Sequence, residues 1–425
     1  MSGNAVLKEL VAASKAGRPA GICSVCSANE YVIEAAMEET LASGGVCLIE
    51  ATANQVNQFG GYTGMTPADF VSFCRKIASR TGLDEERLIF GGDHLGPLVW
   101  CAEEEETAME KAEALVRAYA AAGVQKIHID ASMRLGSDDP HAPLDPAVVA
   151  RRAARLCRAA EEARPEGELP LYVVGSEVPI PGGATEAEDG ISVTRSEDLR
   201  NEYELFKSAF LRQGLDDAWM RVIAVVVQPG VEFGDDQVFL YNRSNAAELI
   251  ACARTLDGIV LEGHSTDYQS ARALREMRED GIAILKVGPA LTYAFREALF
   301  ALERIEREMN PCAPAGGYSD FSAVLDRVMC QNPGNWIKHY HGEPYRVALM
   351  RKYSLSDRSR YYLDNPEVQD ATRRLFRNFN AAPCPTGLLA QFLPRQAEAI
   401  IAGTLDTAAE AIVKENIKYV LRSYQ

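Results

Sequence analysis

Eight times between residues 19 and 291, a short run of β-branched and apolar residues is followed by a longer stretch of helical period. The strand candidates are 19–27, 44–52, 87–95, 126–132, 171–178, 221–230, 257–265 and 282–291. Helix candidates such as 28–42, 67–80 and 103–122 separate them; in the last, Met109, Ala112, Leu115, Val116 and Tyr119 recur at the spacing of one buried face. Near-continuous apolar strands joined through helices predict parallel strands covered on both faces. Eight such units over roughly 290 residues are the count and size of a (β/α)8 TIM barrel. A doubly wound sheet is the rival architecture, but no G-x-G-x-x-G follows a strand and no G-K-[ST] occurs anywhere.

The pattern changes at PCAPAGG (311–317), a turn-rich break. Residues 1–311 are read as the barrel with an N-terminal helix, and 312–425 as a helical extension packed on it. With 60 acidic against 44 basic residues the chain carries a formal charge of −16. It lacks the basic stripe a nucleic acid would need. No apolar run approaches the ~20 residues of a membrane span, and the polar amphipathic start is not a secretory signal. Ten scattered cysteines read as reduced thiols, so the expectation is a cytoplasmic protein. Cys23 and Cys26 form a C-x-x-C on a strand with no second pair, and residues three apart on a strand face opposite sides.

In a barrel, reactive groups come from the carboxyl ends of several strands. Here those ends are polar: Glu50 with Asn54, Gln55 and Gln58; Asp93-His94; His128, Asp130 and Ser132; Ser176-Glu177; Gln228; Glu262, His264 and Ser265; and Lys286. A purely structural barrel has no need to repeat such groups beside apolar runs. His94, His128 and His264 account for three of only six histidines. Imidazoles and carboxylates converging from different strands are what a Zn, Mn, Co, Ni or Mg ion requires. The block RKYSLSDRSRYY (351–362) mixes cations with tyrosines. One reading is a helix start capped by Ser356; the sharper one is a phosphate or interface contact through Arg358.

Several strings resemble a known family: ICSVCSANEYVIEAA, IEATANQVNQFGGYTGMTPADF, GGDHLGP, KIHIDAS, EVPIPGG, VVVQPGVEF, HSTDYQ, LKVGPALT and YSLSDRSRYY. They are similar to the tagatose-bisphosphate aldolase accessory subunits. That family is also labelled tagatose 6-phosphate kinase, and it includes members implied to be ketose 4-epimerases. A more distant likeness is to class II metal-dependent ketose-bisphosphate aldolases. It implies that Asp93 handles protons, that His94 and His264 bind metal, and that Glu177 and its Gly-Gly loop correspond to the fifth-strand glutamate. The sixth-strand ligand histidine of those aldolases is replaced by Gln228, so the implied metal set is His94, His264, Gln228 and a carboxylate such as Glu177 or Glu232.

The resemblance leaves two functions. One is a metal-dependent, isomerase-class epimerase at C4 of a ketohexose 6-phosphate, converting D-tagatose 6-phosphate to D-fructose 6-phosphate by retro-aldol cleavage and re-addition. Asp93 or Asp130 would move the C4 hydroxyl proton, and Lys286 or His128 would offset the oxyanion. The alternative is a non-catalytic subunit that stabilises a class II tagatose-1,6-bisphosphate aldolase. In both, Glu50, Asn54, Gln55, Ser265, Thr266, Asp267 and Arg358 line the sugar-phosphate site, and the backbone near Gly288 forms an anion nest. A kinase is excluded for want of any phosphate-cradling glycine loop. A homo-oligomer is compatible with a barrel carrying a helical tail.

Overall fold

The apolar runs become parallel strands β1 Ile22–Cys26, β2 Cys47–Thr52, β3 Leu88–Leu95, β4 Lys126–Ile129, β5 Leu171–Val174, β6 Val222–Val227, β7 Val260–Gly263 and β8 Ile282–Val287. The structure, a computed structural model, describes residues 3–167, 169–175 and 191–425. The strands close on themselves in the order β1-β8-β7-β6-β5-β4-β3-β2, with helices over the outside: a TIM barrel. All residues of β3 to β8 are buried, which is why no polar alternation marks their outer faces. Helix starts are fixed locally. Asn29 accepts from the Tyr31 and Val32 amides, Asp145 from Ala147, and Thr66 with Asp69 forms a capping box.

The barrel interior is layered along the strand direction. At the amino end, Ile22, Leu48, Ile89, Leu171, Val260 and Ile284 join Leu7, Leu10 and Val11 of the Gly3–Lys15 helix in one apolar cluster. That helix plugs the barrel floor. Two residues further along three of the same strands, the inward positions become Glu50, Glu262 and Lys286, all buried. Gly91 lies opposite Glu50 across β2 and β3, where a Cβ would come within 2.7 Å of the Glu50 Cγ. The bare backbone there gives the carboxylate its space.

The long Pro289–Met309 helix completes the eighth unit, and the remaining chain is helical. The Ala409–Arg422 helix lies against both Pro289–Met309 and Glu30–Ser43. Lys414 pairs with Glu34 at 2.8 Å, Lys418 with Glu38 at 3.1 Å and Arg422 with Glu39 at 3.0 Å. Apolar residues of this segment, among them Leu375, Ile412 and Ile417, belong to the same core as the barrel's outer shell. Among the described residues no helix is long and apolar enough to cross a membrane.

Three details differ from the sequence expectation. β4 stops at Ile129, so Asp130 and Ser132 lie in the following loop; β6 stops at Val227, one residue before Gln228. Glu232 belongs to a small antiparallel pair, Glu232–Phe233 with Val238–Phe239. Ser356 caps no helix. Its hydroxyl donates to Asp235 at 3.1 Å, and Asp357, at φ 42°, precedes a short 3-10 turn over Arg358–Tyr362.

Candidate functional site

Inward residues of β2, β4, β7 and β8 meet in a buried ladder of charge. Lys126 Nζ lies 2.8 Å from both Glu50 Oε1 and Glu262 Oε2. Lys286 Nζ lies 2.5 Å from Glu50 Oε2, 2.6 Å from Asp93 Oδ1 and 3.7 Å from Glu262 Oε1. Burial opposes the ionised forms, but the lysines hold Glu262 well below the usual carboxylate range. Asp93 is likewise held well below that range against its burial, by His94 and Lys286.

Three imidazoles crown the ladder. Ring centroids of His94 and His264 are 4.8 Å apart, His94 and His128 4.9 Å, and His128 and His264 5.1 Å. One nitrogen of each ring is tied to a carboxylate: His94 Nδ1 to Asp130 at 3.1 Å, His128 Nδ1 to Asp93 at 3.0 Å, and His264 Nε2 to Glu262 at 2.9 Å. This arrangement fixes ring orientation and leaves the other nitrogen available, as at many metal-binding histidines. His128 Nε2 is buried with no hydrogen-bond partner. Burial lowers the His128 pKa and pulls His264 down to about 3, so both are neutral. For His94 burial is outweighed by Asp93 and then Asp130, and its pKa is raised. His94, next to the end of β3, and Ser265, just past β7, adopt φ of 47° and 51°. Such left-handed backbone in non-glycine residues costs of order 1–3 kcal/mol and concentrates at functional sites.

Asp93, His94, His128 and His264 each offer a ligand atom, and these atoms all lie within 4.8 Å of one another. Three nitrogens and a carboxylate suit Zn, Mn, Co or Ni better than Mg, which prefers all-oxygen shells. The donor set therefore fits a transition-metal ion, though with a membership that differs from the sequence expectation. Gln228 is no ligand in this arrangement: its Oε1 accepts the Gly230 and Val231 amides at 2.8 and 2.9 Å, closing a tight turn. Glu232 accepts the neighbouring Phe233 amide at 2.9 Å. His128, expected to offset an oxyanion, and Asp93, expected as a proton carrier, lie in the converging group instead. Glu177 falls outside the described residues.

Above the imidazoles opens a cleft lined by Asn54, Gln55, Tyr62, Asp93, His94, His264, Ser265, Lys286 and Arg360, with Cys26, Thr52, Phe233, Tyr361 and Asp267 among its other walls. Several residues expected to touch substrate do other work. Glu50 is fully buried beneath Lys286. Asp130 is buried behind His94, and its pKa is lowered to about 2, His94 and then His128 and Ser132 outweighing burial. The Thr266 hydroxyl donates to the Lys286 carbonyl at 2.6 Å. Asp267 Oδ1 accepts the Gly288 and Ala290 amides at 3.0 and 2.7 Å, so the expected anion nest is filled by the chain's own carboxylate. Arg358 turns away to donate to the Asn335 carbonyl at 2.9 Å, and Arg360, two residues on, borders the cleft. The sequence reading missed Lys126, Arg360, Tyr62 and Cys26. A lysine two residues before His128 in an apolar run was a legible signal for the first; for Arg360 the only signal was its block of sequence.

A family model described as D-tagatose-1,6-bisphosphate aldolase subunit GatZ/KbaZ-like matches residues 7–425. The chain belongs to this family. It is 48% identical to the D-tagatose-1,6-bisphosphate aldolase subunit GatZ of Salmonella gallinarum over 421 residues, 99% of this chain and 98% of that one. The subunit of the same name from Klebsiella pneumoniae is 47% identical over the same coverage. Among solved structures, a probable tagatose 6 phosphate kinase from Sinorhizobium meliloti 1021 superposes with a TM-score of 0.87 at 41% identity, over 95% of this chain and 99% of that one. A fructuronate-tagaturonate epimerase UxaE from Cohnella laeviribosi, 13% identical with a TM-score of 0.50 over 96% of this chain and 81% of that one, shares the fold alone. These findings correct the expectation of an isomerase-class enzyme. Relatives nearly half identical along the whole chain are named as an aldolase subunit and not as a 4-epimerase.

Proposed function

We propose that this chain is a non-catalytic subunit of a class II tagatose-1,6-bisphosphate aldolase, retaining a pocket for the sugar phosphate while a partner chain performs the cleavage. The observation that carries the reading is the condition of Asp93. One of its oxygens, Oδ1, receives both Lys286 and His128, and the side chain is 2% exposed. A carboxylate neutralised in this way and held far below its ordinary pKa is a weak proton acceptor, and general base catalysis needs a pKa near the working pH. Lys286, shared among three carboxylates, is equally committed.

In this reading His94, His128, His264 and Asp93 would hold a divalent transition-metal ion, with no requirement that it turn over substrate. When bound, such an ion supplies Lewis acidity toward hydroxyl and carbonyl oxygens. The residues' own part is to orient and bind: the ladder below fixes the imidazoles, and Asn54, Gln55 and Ser265 face the cleft where a polyol would lie. The kinase name belongs to the Sinorhizobium meliloti structure; this sequence contains no G-x-x-x-x-G-K-[ST] string.

The test is co-expression with the catalytic chain of a class II tagatose-1,6-bisphosphate aldolase. We expect co-elution on size exclusion and a longer half-life of bisphosphate cleavage at elevated temperature, with no cleavage by this chain alone. Separate elution and an unchanged half-life would overturn the reading.

A further inference from the structure

Of the two permanently charged cations lining the cleft, Lys286 and Arg360, only the first is in an ion pair among the described residues. Lys286 is shared by Glu50, Asp93 and Glu262, and His94 is engaged by Asp130. Arg360 is the exception. Its Nη1 donates to the backbone carbonyls of Ser356 and Asp357, at 2.5 and 3.1 Å, and its Nη2 to the Tyr361 hydroxyl at 3.0 Å. Among the described residues no carboxylate lies within ion-pair range of this guanidinium. Asp357 and Asp267 act on this guanidinium electrostatically, yet neither forms an ion pair with it, and it stands on the cleft wall. Neutral acceptors hold the group in place and leave its charge for whatever enters.

The surroundings support the same assignment. The guanidinium carbon lies 4.5 Å from the centre of the Tyr361 ring, which in turn packs edge-on to Tyr62 at 4.9 Å. Stacking of this kind sets the plane of an arginine and reduces the entropy lost when it binds an oxyanion through its fork of N–H groups. A second, smaller cavity shares Arg360, Gln55, Tyr62 and Gly288 with the cleft and is bordered also by Asp364. Meanwhile the alternative anion site, the amides of Gly288 and Ala290 at the start of the Pro289–Met309 helix, is taken by Asp267. An incoming phosphate at that helix start would meet a carboxylate where it needs free donors.

We infer that Arg360, contributed by the C-terminal helical extension, is the phosphate anchor of the cleft, and that the ligand is a phosphorylated sugar gripped at its phosphate by this side chain. The sugar's identity rests on the functional reading above, whereas the anion subsite rests on the geometry of Arg360. The extension thereby becomes part of the binding site.

The test is calorimetric titration of the full-length chain with D-tagatose 6-phosphate, D-tagatose and inorganic phosphate, using wild type, Arg360→Gln and Arg360→Lys. Wild type is expected to prefer the phosphorylated over the free sugar. Arg360→Gln is expected to lose about 10- to 100-fold of that preference, the scale of one or two hydrogen bonds between charged groups. Affinity for D-tagatose should not change, and Arg360→Lys should keep part of the preference. Because Arg360 also ties down backbone carbonyls, the wild-type protein supplies an independent readout. Phenylglyoxal modification mapped by mass spectrometry should mark Arg360, and D-tagatose 6-phosphate should protect it while D-tagatose does not. An undiminished phosphate preference in Arg360→Gln, or no protection at Arg360, would overturn the proposal. Arg360-dependent binding of inorganic phosphate without binding of D-tagatose 6-phosphate would overturn the sugar-phosphate assignment. Failure to associate with an aldolase chain would overturn only the functional reading.

Discussion

The buried ladder makes a sharp prediction at Lys126. Its side chain is 0% exposed and bridges two carboxylates that are also 0% exposed, each at 2.8 Å. Burial opposes its charge, yet Glu262 and then Glu50 outweigh burial and hold its pKa above the ordinary value. Lys126→Met keeps the length and the packing of the stem but leaves Glu50, Glu262 and Asp93 with Lys286 as their only ammonium. Removing one partner of a buried pair costs roughly 3–5 kcal/mol, because the remaining charge is stranded away from water. At about 2.1 cal/mol/K of unfolding entropy per residue, this chain gains ~0.9 kcal/mol per kelvin, so the expected loss is about 3–6 °C in Tm. The double variant Lys126→Met/Glu262→Gln removes one stranded charge and should recover at least ~1 kcal/mol relative to the single variant, as coupled neighbours do. Scanning calorimetry with reversibility checked by rescanning provides the measurement. A single variant within about 1 °C of wild type, or a double variant whose loss is the plain sum of the two single losses, would refute the account of Lys126 as the bridging counter-charge.

Asp364, with its pKa raised to about 6 by burial and secondarily by Glu30, works in the opposite sense. Its folded state binds the proton more tightly than the unfolded chain, so this contribution to stability is present below the ordinary value of 3.8 and is lost as pH rises through about 6. Asp364→Asn should therefore stabilise at pH 8 by up to about 3 kcal/mol and have little effect near pH 4; equal Tm shifts at both pH values would contradict this. At Gly96 an added Cβ would lie 1.6 Å from the Asp130 carbonyl oxygen. Gly96→Ala should force that loop outward, cost about 3 kcal/mol and loosen the carboxylate that orients His94, read as a lowered Tm together with a weakened metal response. Zinc, manganese, cobalt or nickel at 100 times its dissociation constant should raise wild-type stability by about 2.7 kcal/mol, with magnesium acting least. That rise should vanish in His264→Ala and on chelation, and a rise that survives the substitution would remove His264 from the ligand set.

What the sequence determined by itself was everything set by short-range period. Near-continuous apolar runs, buried on both faces, and a 3.6-residue helical spacing are local properties, so the eight strand–helix units, their order and the polar character of their carboxyl ends could be read directly. Asp93, His94, His264 and Lys286 could be singled out because each follows or interrupts an apolar run. Tertiary structure decided the partners. Whether Lys126 reaches Glu50 and Glu262 depends on barrel closure, which brings β2, β4 and β7 to a common axis although β4 pairs with neither of the other two. The same closure recruits His128 beside His94 and His264, while Gln228, one residue past the end of β6, turns back on its own loop. Arg358 and Arg360 are chemically identical and two positions apart, and only the path of the 3-10 turn determines which one borders the cleft. Asp267 fills the helix start near Gly288 because loop and helix converge in space across a gap of 21 residues. Ion pairing and cavity shape depend on distances between strands, and those distances are set by the closed barrel and its packed extension, which no local window of sequence contains.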